Sequence, residues 1–331
     1  MLRVVMAATP SFREMVFAPA DWGRIEALAD LRVLDDPRDA VSLVEALPEA
    51  DVLITSWGAV PMTADVLAHA PRLRLIAHSA SSVKHFVTDA VFDRGIRITQ
   101  VGQAMARPVA EVALAFTLTM LHRIHRYDHA MHAGATWTDA IAAPPQHGIT
   151  GSRIGVVGAS RTGAEYIAMA VALGAEVVVY DPYLTDERAA SFGVRRVELD
   201  ELLRTSRAVV LHAPTLPETR EMIGRRELAL MPDGASLVNT ARSWLIDSDA
   251  LLDELRSGRI DAALDVFDEE PLPVDSPLRG LPNVLLTPHR AAGTVEGYLE
   301  MGELVADELE RYAAGDALRF EVTAEALARM G

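Results

Sequence analysis

The sequence predicts an α/β protein of two doubly wound parallel-sheet domains, and three observations predict it. Short apolar runs alternate with amphipathic stretches in two successive series, and a glycine-marked turn from strand to helix opens the second. The third is length, since 331 residues exceed one ordinary core and comfortably fill two.

In the first series the strand candidates are residues 2–7, 31–34, 51–56, 73–78 and 96–99. The second places strands at 154–157, 176–180, 208–212, 236–240, 261–266 and 283–287, with helical patterns between most of them, notably 161–173 and 248–257. Two further helices stand at the joints: residues 108–126, opened by a proline suited to a first helical turn, and residues 293–314 near the end. The last helix is expected to return the chain to the first domain. That domain then comprises residues 1–101 and 290–331, with residues 102–289 inserted.

Half the residues are hydrophobic and no tract is of low complexity, so the chain is globular and not disordered. Forty-seven acidic against 31 basic residues give a net charge of −16, which opposes nucleic acid and anionic membrane surfaces as partners. A small anionic substrate must be met by local cations. Cysteine is absent, which excludes disulfides, thiolate nucleophiles and cysteine-bound metal and fits a reducing cytoplasm. The opening residues lack the apolar core of a signal peptide and read as a first strand. The most apolar stretch, residues 109–121, is too short to cross a bilayer and reads as a buried helix. Because it is hydrophobic nearly all round it needs cover beyond one domain, and a symmetric homodimer is expected to supply it. His122, His125, His129 and His132 follow at spacings that align them on one face of a continuing helix. With no acidic or cysteine ligand built in, no metal site is expected of the stripe.

The dinucleotide motif is the sharpest local signal. Residues 154–157 form a strand that turns at Gly158, Ala159 and Ser160 into a helix beginning Arg161, Thr162 and Gly163. Gly158 and Gly163 hold the first and third glycine positions, and Ser160 stands at the second. Small residues are required there because a pyrophosphate must approach the helix N-terminus, where free N–H groups and the helix dipole favour anions. The next strand ends at Asp181, the spacing at which a carboxylate grips the ribose hydroxyls. That carboxylate repels the extra phosphate of NADP, so NAD is the expected cofactor. The insertion is thus a Rossmann NAD-binding domain within a flavodoxin-like substrate domain.

Several further segments make the chain resemble the D-isomer-specific 2-hydroxyacid dehydrogenases from about residue 70 onward. They are Val238-Asn239-Thr240-Ala241-Arg242, the run from Leu264 through Asp265 to Glu270 and Pro271, and Leu286-Thr287-Pro288-His289. Smaller agreements include Pro108-Val109-Ala110-Glu111, Asp181-Pro182, and His212-Ala213-Pro214 with Thr219 after it. The resemblance implies that Arg242 binds the substrate carboxylate, that His289 is the catalytic acid and base, and that Glu270 supports it. It also implies that His212, Ala213, Pro214, Thr219, Thr240 and Ala241 line the cofactor and that Asp265 places its nicotinamide end. The substrate loop falls on Ala80, Ser81, Ser82 and Lys84, the last being the chain's sole lysine. Departures from the family are Ser243 in place of the glycine usual after the arginine, with Trp244 following, a substrate loop poor in glycine, and Met105 for an asparagine.

These residue types suit the reaction. An arginine fork holds a carboxylate in two places and keeps its charge. Histidine titrates near neutrality, so it gives a proton in reduction and takes one in oxidation. The implied function is hydride transfer between NAD(H) and C2 of a small 2-hydroxy or 2-oxo acid. An NAD-sensing binding protein of the same fold, like the transcriptional corepressors, is the alternative, because it can keep the same residues.

Overall fold

The computed structural model describes residues 1–142 and 144–330. The chain divides into two compact units, Met1–Met105 with the chain from Gly293 onward, and Ala106–Ala292. The divisions fall at 105/106 and 292/293, where the sequence placed them at 101/102 and 289/290.

The first unit carries β1 (Leu2–Ala7), β2 (Ala29–Leu34), β3 (Val52–Thr55), β4 (Leu75–His78) and β5 (Arg97–Gln100), in spatial order β2-β1-β3-β4-β5 with every pair parallel. Strand order reverses between β1 and β3, the flavodoxin-like arrangement. Strands β3 and β4 are buried along their whole length and are apolar up to their last residues, Thr55 and His78, because helices cover both faces. One face packs on Phe12, Val16, Ile25 and the long helix Val295–Ala314, the other on Leu43, Leu67 and Val91.

The second unit carries β6 (Arg153–Val157), β7 (Glu176–Tyr180), β8 (Arg195–Arg196), β9 (Ala208–Leu211), β10 (Ser236–Asn239), β11 (Asp261–Leu264) and β12 (Val284–Leu286). Their order is β12-β11-β10-β9-β6-β7-β8, again all parallel. The register sets Val157 beside both Tyr180 and Leu211, Leu211 beside Asn239, Asn239 beside Leu264, and Leu264 beside Leu286. Gly158, Asp181, His212, Thr240, Asp265 and Thr287 therefore all leave the sheet at one edge. β8 is absent from the sequence reading, because two exposed arginines at a sheet edge carry no apolar pattern.

Two expectations are corrected in the segment entering this unit. The helix runs Gln103–Leu121, with Pro108 inside it, and the next helix is Ile124–His132, so residues 108–126 are not one helix. At 19 residues it is long and apolar enough to cross a membrane by length and composition, contrary to the shorter reading. Half of it is buried in the protein, where Ala110, Ala113, Phe116 and Met120 join the core around Ile154 and Tyr166.

The break comes at Arg123, which takes a left-handed φ of 55°. Its buried guanidinium pairs with Asp261 and donates to the Gly234 carbonyl at 2.7 Å, and Arg126 donates to the same carboxylate at 2.5 Å. The chain bends to bring both arginines to one buried aspartate at the start of β11. The histidines are consequently not a stripe on one continuous helix. His122 precedes the break, and His125 is buried with Nε2 at 3.2 Å from Asp261. His129 and His132 are exposed, and His132 bonds the Asp128 carbonyl.

Candidate active site

At the mouth of β6 the cradle is set by close approach. Gly158 has φ 96°, and a Cβ there would lie 2.7 Å from the Ala213 nitrogen. A Cβ on Gly163 would lie 2.1 Å from the Gly158 carbonyl oxygen. No larger residue fits either place, and both glycines pack directly on the His212-Ala213 segment. Ser160 is the N-cap of helix Arg161–Ala172, yet its hydroxyl makes no cap bond and donates instead toward the His212 carbonyl at 3.5 Å. The first N–H groups of this twelve-residue helix thus remain available to an anion, with Thr162 half-buried beside them and Arg161 exposed.

Asp181 is tied to this turn. Its carboxylate accepts from the Ala159 N–H and the Tyr183 N–H, each at 2.8 Å. His212 is fully enclosed against the Tyr166 ring, and burial pushes its imidazole down to about 3, so it is neutral. Its Nε2 and the Thr240 hydroxyl are buried without a hydrogen-bond partner among the described residues. Glycines that leave room, an uncapped helix start and two orphaned polar groups at one sheet edge fit a bound dinucleotide.

Arg242 follows β10 on a loop stapled by Asn239, whose side chain accepts from the Ala241 N–H at 3.0 Å and donates to the Arg242 carbonyl at 2.9 Å. The guanidinium donates to the Ala241 carbonyl at 2.6 Å. It keeps contact with solvent but is recessed among protein atoms, so desolvation lowers its pKa while the Glu270 charge opposes that. Trp244, two residues on, donates its indole N–H to the Leu216 carbonyl at 3.0 Å. Thr219 bonds within the same loop, to the Pro214 carbonyl at 2.7 Å.

His289 leaves β12 on a loop that Asp265 holds. Asp265 is 1% exposed and accepts from the Thr287 hydroxyl at 2.5 Å, the Arg290 N–H at 2.9 Å and the Ala291 N–H at 2.9 Å. Between those anchors His289 takes a left-handed φ of 52°, uncommon for a side chain of its size. Its Nδ1 meets Glu270 Oε2 at 2.7 Å, and Glu270 Oε1 accepts the Phe267 N–H at 3.0 Å. Burial raises the Glu270 pKa, but the His289 bond, the Phe267 N–H and the charges of His289 and Arg242 outweigh it, and the net direction is down. Glu270 and His289 line a cavity of about 670 Å³ with Phe267, Leu272, Arg279 and Leu286.

The substrate-loop candidates form their own group in the first unit, after β4. Ala80 is buried, Ser81 and Ser82 are half-buried, and Lys84 is exposed. The loop springs from His78, whose Nδ1 lies 2.8 Å from the Thr55 hydroxyl and whose pKa burial and the nearby His85 push down to about 3. Sequence reasoning assigns no role to Asn239, Phe267 or Trp244. Asn239 acts by its side chain on the backbone of the Arg242 turn and Phe267 by its own N–H, pairings that residue type does not advertise. Trp244 was noted, and its tether to Leu216 spans 28 residues.

Residues 114–291 match the family model described as D-isomer specific 2-hydroxyacid dehydrogenase, NAD binding domain. Over 276 residues the chain is 35% identical to a D-3-phosphoglycerate dehydrogenase of Methanocaldococcus jannaschii, covering 83% of this chain and 52% of that one. A glyoxylate reductase of Korarchaeum cryptofilum is 32% identical over 292 residues, 87% of each chain. The D-mandelate dehydrogenase structure of Rhodotorula graminis superposes with a TM-score of 0.85 at 25% identity, covering 97% of both chains. The chain spans about half the length of the phosphoglycerate dehydrogenases it matches. With a matched family model over more than half its residues and a relative matched over 87% of that relative's length, the chain belongs to the D-isomer-specific 2-hydroxyacid dehydrogenase family.

Proposed function

We propose that this chain is an NAD-dependent oxidoreductase acting between a small D-2-hydroxy acid and its 2-oxo counterpart, with His289 as acid and base. The observation that carries the proposal is the 2.7 Å contact of His289 Nδ1 with Glu270, on a loop that Asp265 fixes. With Nδ1 engaged, Nε2 is the nitrogen left to exchange a proton with the substrate oxygen. Arg242 holds the substrate carboxylate, and its partly desolvated guanidinium strengthens that pairing. NAD(H), when bound along the β6, β7 and β9 edge, supplies or accepts the hydride at C2. The Asp181 carboxylate at the ribose position supports NAD over NADP.

The residues before Met105 and after Gly293 take the role of substrate domain, and Lys84 is the cation in it that would meet a second anionic group. The names of the relatives, phosphoglycerate dehydrogenase and glyoxylate reductase, support a 2-oxo acid of a few carbons. The apolar helix Gln103–Leu121 supports a homodimer, as do Ile124, Met131, Trp137 and Ile141, all exposed on the segment after it. A cysteine-free composition suits the cytoplasm.

The test is NADH absorbance against a panel of 2-oxo acids across pH, in both reaction directions. Reduction should fall as pH rises and oxidation as pH drops, because the histidine gives the proton in one and takes it in the other. Glu270→Gln should slow both directions, since the ring loses the carboxylate that holds its Nδ1. Lys84→Met should weaken the apparent affinity for the preferred acid. NADH binding with no turnover of any acid would refute the enzyme and favour an NAD-sensing protein.

A further inference from the structure

We infer that Trp244 is a positioning residue that fastens the cofactor-side loop to the substrate arginine, so that NAD(H) binding readies Arg242 for the acid. The inference rests on the roles proposed above for Arg242 and the β6 to β9 edge.

The loop 214–221 and the turn 242–246 are joined at three points, with a fourth just beyond the loop at Ile223. The Trp244 indole N–H donates to the Leu216 carbonyl at 3.0 Å, and the Trp244 carbonyl accepts the Glu221 N–H at 2.8 Å. The Arg220 guanidinium lies 5.0 Å from the centre of the indole ring, and the Ile223 N–H donates to the Leu245 carbonyl at 3.0 Å. Glu221 holds a left-handed φ of 49°, a conformation a glutamate keeps only where its surroundings impose it. The bond to Trp244 is one of those constraints.

Each side of this junction reaches one ligand position. Loop 214–221 continues directly from His212-Ala213, on which Gly158 and Gly163 pack with no room for a Cβ. Thr219 braces the loop from within, donating to the Pro214 carbonyl at 2.7 Å and accepting the Leu216 N–H at 2.9 Å. On the other side Trp244 is two residues from Arg242, whose guanidinium has one hydrogen-bond partner among the described residues, the Ala241 carbonyl. A fork with so few internal bonds is oriented by its backbone, and Trp244 ties that backbone to the cofactor loop. Ordering the loop against a dinucleotide therefore orders the arginine. By linkage, the acid must then strengthen dinucleotide binding by the same factor.

The experiment measures this coupling by calorimetry on the full chain, with oxalate as the probe acid because its adjacent carboxyl groups imitate a 2-oxo acid. Oxalate affinity is determined for free and NADH-saturated protein, for the native chain, Trp244→Phe, Trp244→Ala and Arg220→Gln. The native protein should bind oxalate on the order of tenfold more tightly when loaded. Trp244→Phe loses the N–H donor while keeping a packed ring, so its ratio should fall to about threefold, and that of Trp244→Ala to about one. Arg220→Gln should lie between the native protein and Trp244→Ala. NADH should also change the native tryptophan emission more than that of Trp244→Phe, since the partly exposed Trp244 reports its own loop. A merely structural tether would lower thermal stability and leave the ratio unchanged. If Trp244→Phe and Arg220→Gln bind both ligands with the native ratio, the inference is overturned while the proposed function stands. If NADH does not bind the native protein, the proposed function fails first.

Discussion

Replacing Asp265 with asparagine removes half of a carboxylate that serves as the clamp of the His289 loop. Oδ1 accepts from the Thr287 hydroxyl and the Arg290 N–H, and Oδ2 accepts from the Ala291 N–H. At 1% exposure, little solvent reaches the site to replace a lost acceptor. Asparagine keeps one oxygen and must turn its NH2 toward a donor, most simply the Ala291 N–H. A buried donor left unpaired costs about 1–3 kcal/mol, and the two surviving bonds lose their charge assistance. For a unit of this size that corresponds to a drop in Tm of roughly 2–12 °C, readable by calorimetry.

The loop also holds His289 at φ 52°, a conformation that costs of order 1–3 kcal/mol and persists only while its anchors hold. Once an anchor is lost the imidazole shifts, and a displacement of about 1 Å is worth about 10²-fold in rate. The assay is single-turnover NADH oxidation with a 2-oxo acid, in Asp265→Asn, His289→Ala and the double variant. If Asp265 acts through His289, the double variant is scarcely slower than His289→Ala alone. Full additivity of the two losses, or an Asp265→Asn protein with native Tm and rate, would refute this account of the loop.

Three other outcomes follow from the same geometry. Asp261→Asn leaves the buried Arg123 and half-buried Arg126 without their counter-charge and should cost about 3–5 kcal/mol in denaturant unfolding, so an unchanged midpoint would exclude the triad as a stabilising unit. Asp181→Ala should erode a preference for NADH over NADPH measured by direct titration, and equal affinities in the native chain would remove the basis for assigning Asp181 to the ribose. His78 and His212 are neutral when folded, with pKa values near 3 set chiefly by burial, whereas the unfolded chain protonates them near 6.5. The unfolded state then binds more protons between those limits, so stability should fall as pH drops through 6.5 toward 3. Denaturation at pH 7.5 and 5 checks this above the carboxylate range, and equal stability at both would contradict buried, neutral histidines.

The sequence by itself determined the strand series and the glycine turn, and it named Asp181, Arg242, Glu270 and His289 as site candidates. These were legible because each depends on chemistry within a few residues: an apolar run for a strand buried on both faces, glycine where a Cβ collides, a histidine or arginine just past a strand end. Most strand boundaries differ from the sequence reading by a residue or two, since hydrogen-bond register, not apolar content, ends a strand. Tertiary structure alone decided the features whose partners lie far away in the chain. Arg123 breaks a helix that its local pattern would continue, because Asp261, 138 residues later, needs its charge. Asp265 is a cofactor candidate by resemblance, and only the structure shows that its oxygens also hold the Thr287 to Ala291 loop. Trp244 reads as a departure from pattern until the Leu216 carbonyl, 28 residues back, receives its N–H. Residue type states which bonds a side chain can make, and only the packed sheet, by bringing distant loops to one edge, decides which of them it does make.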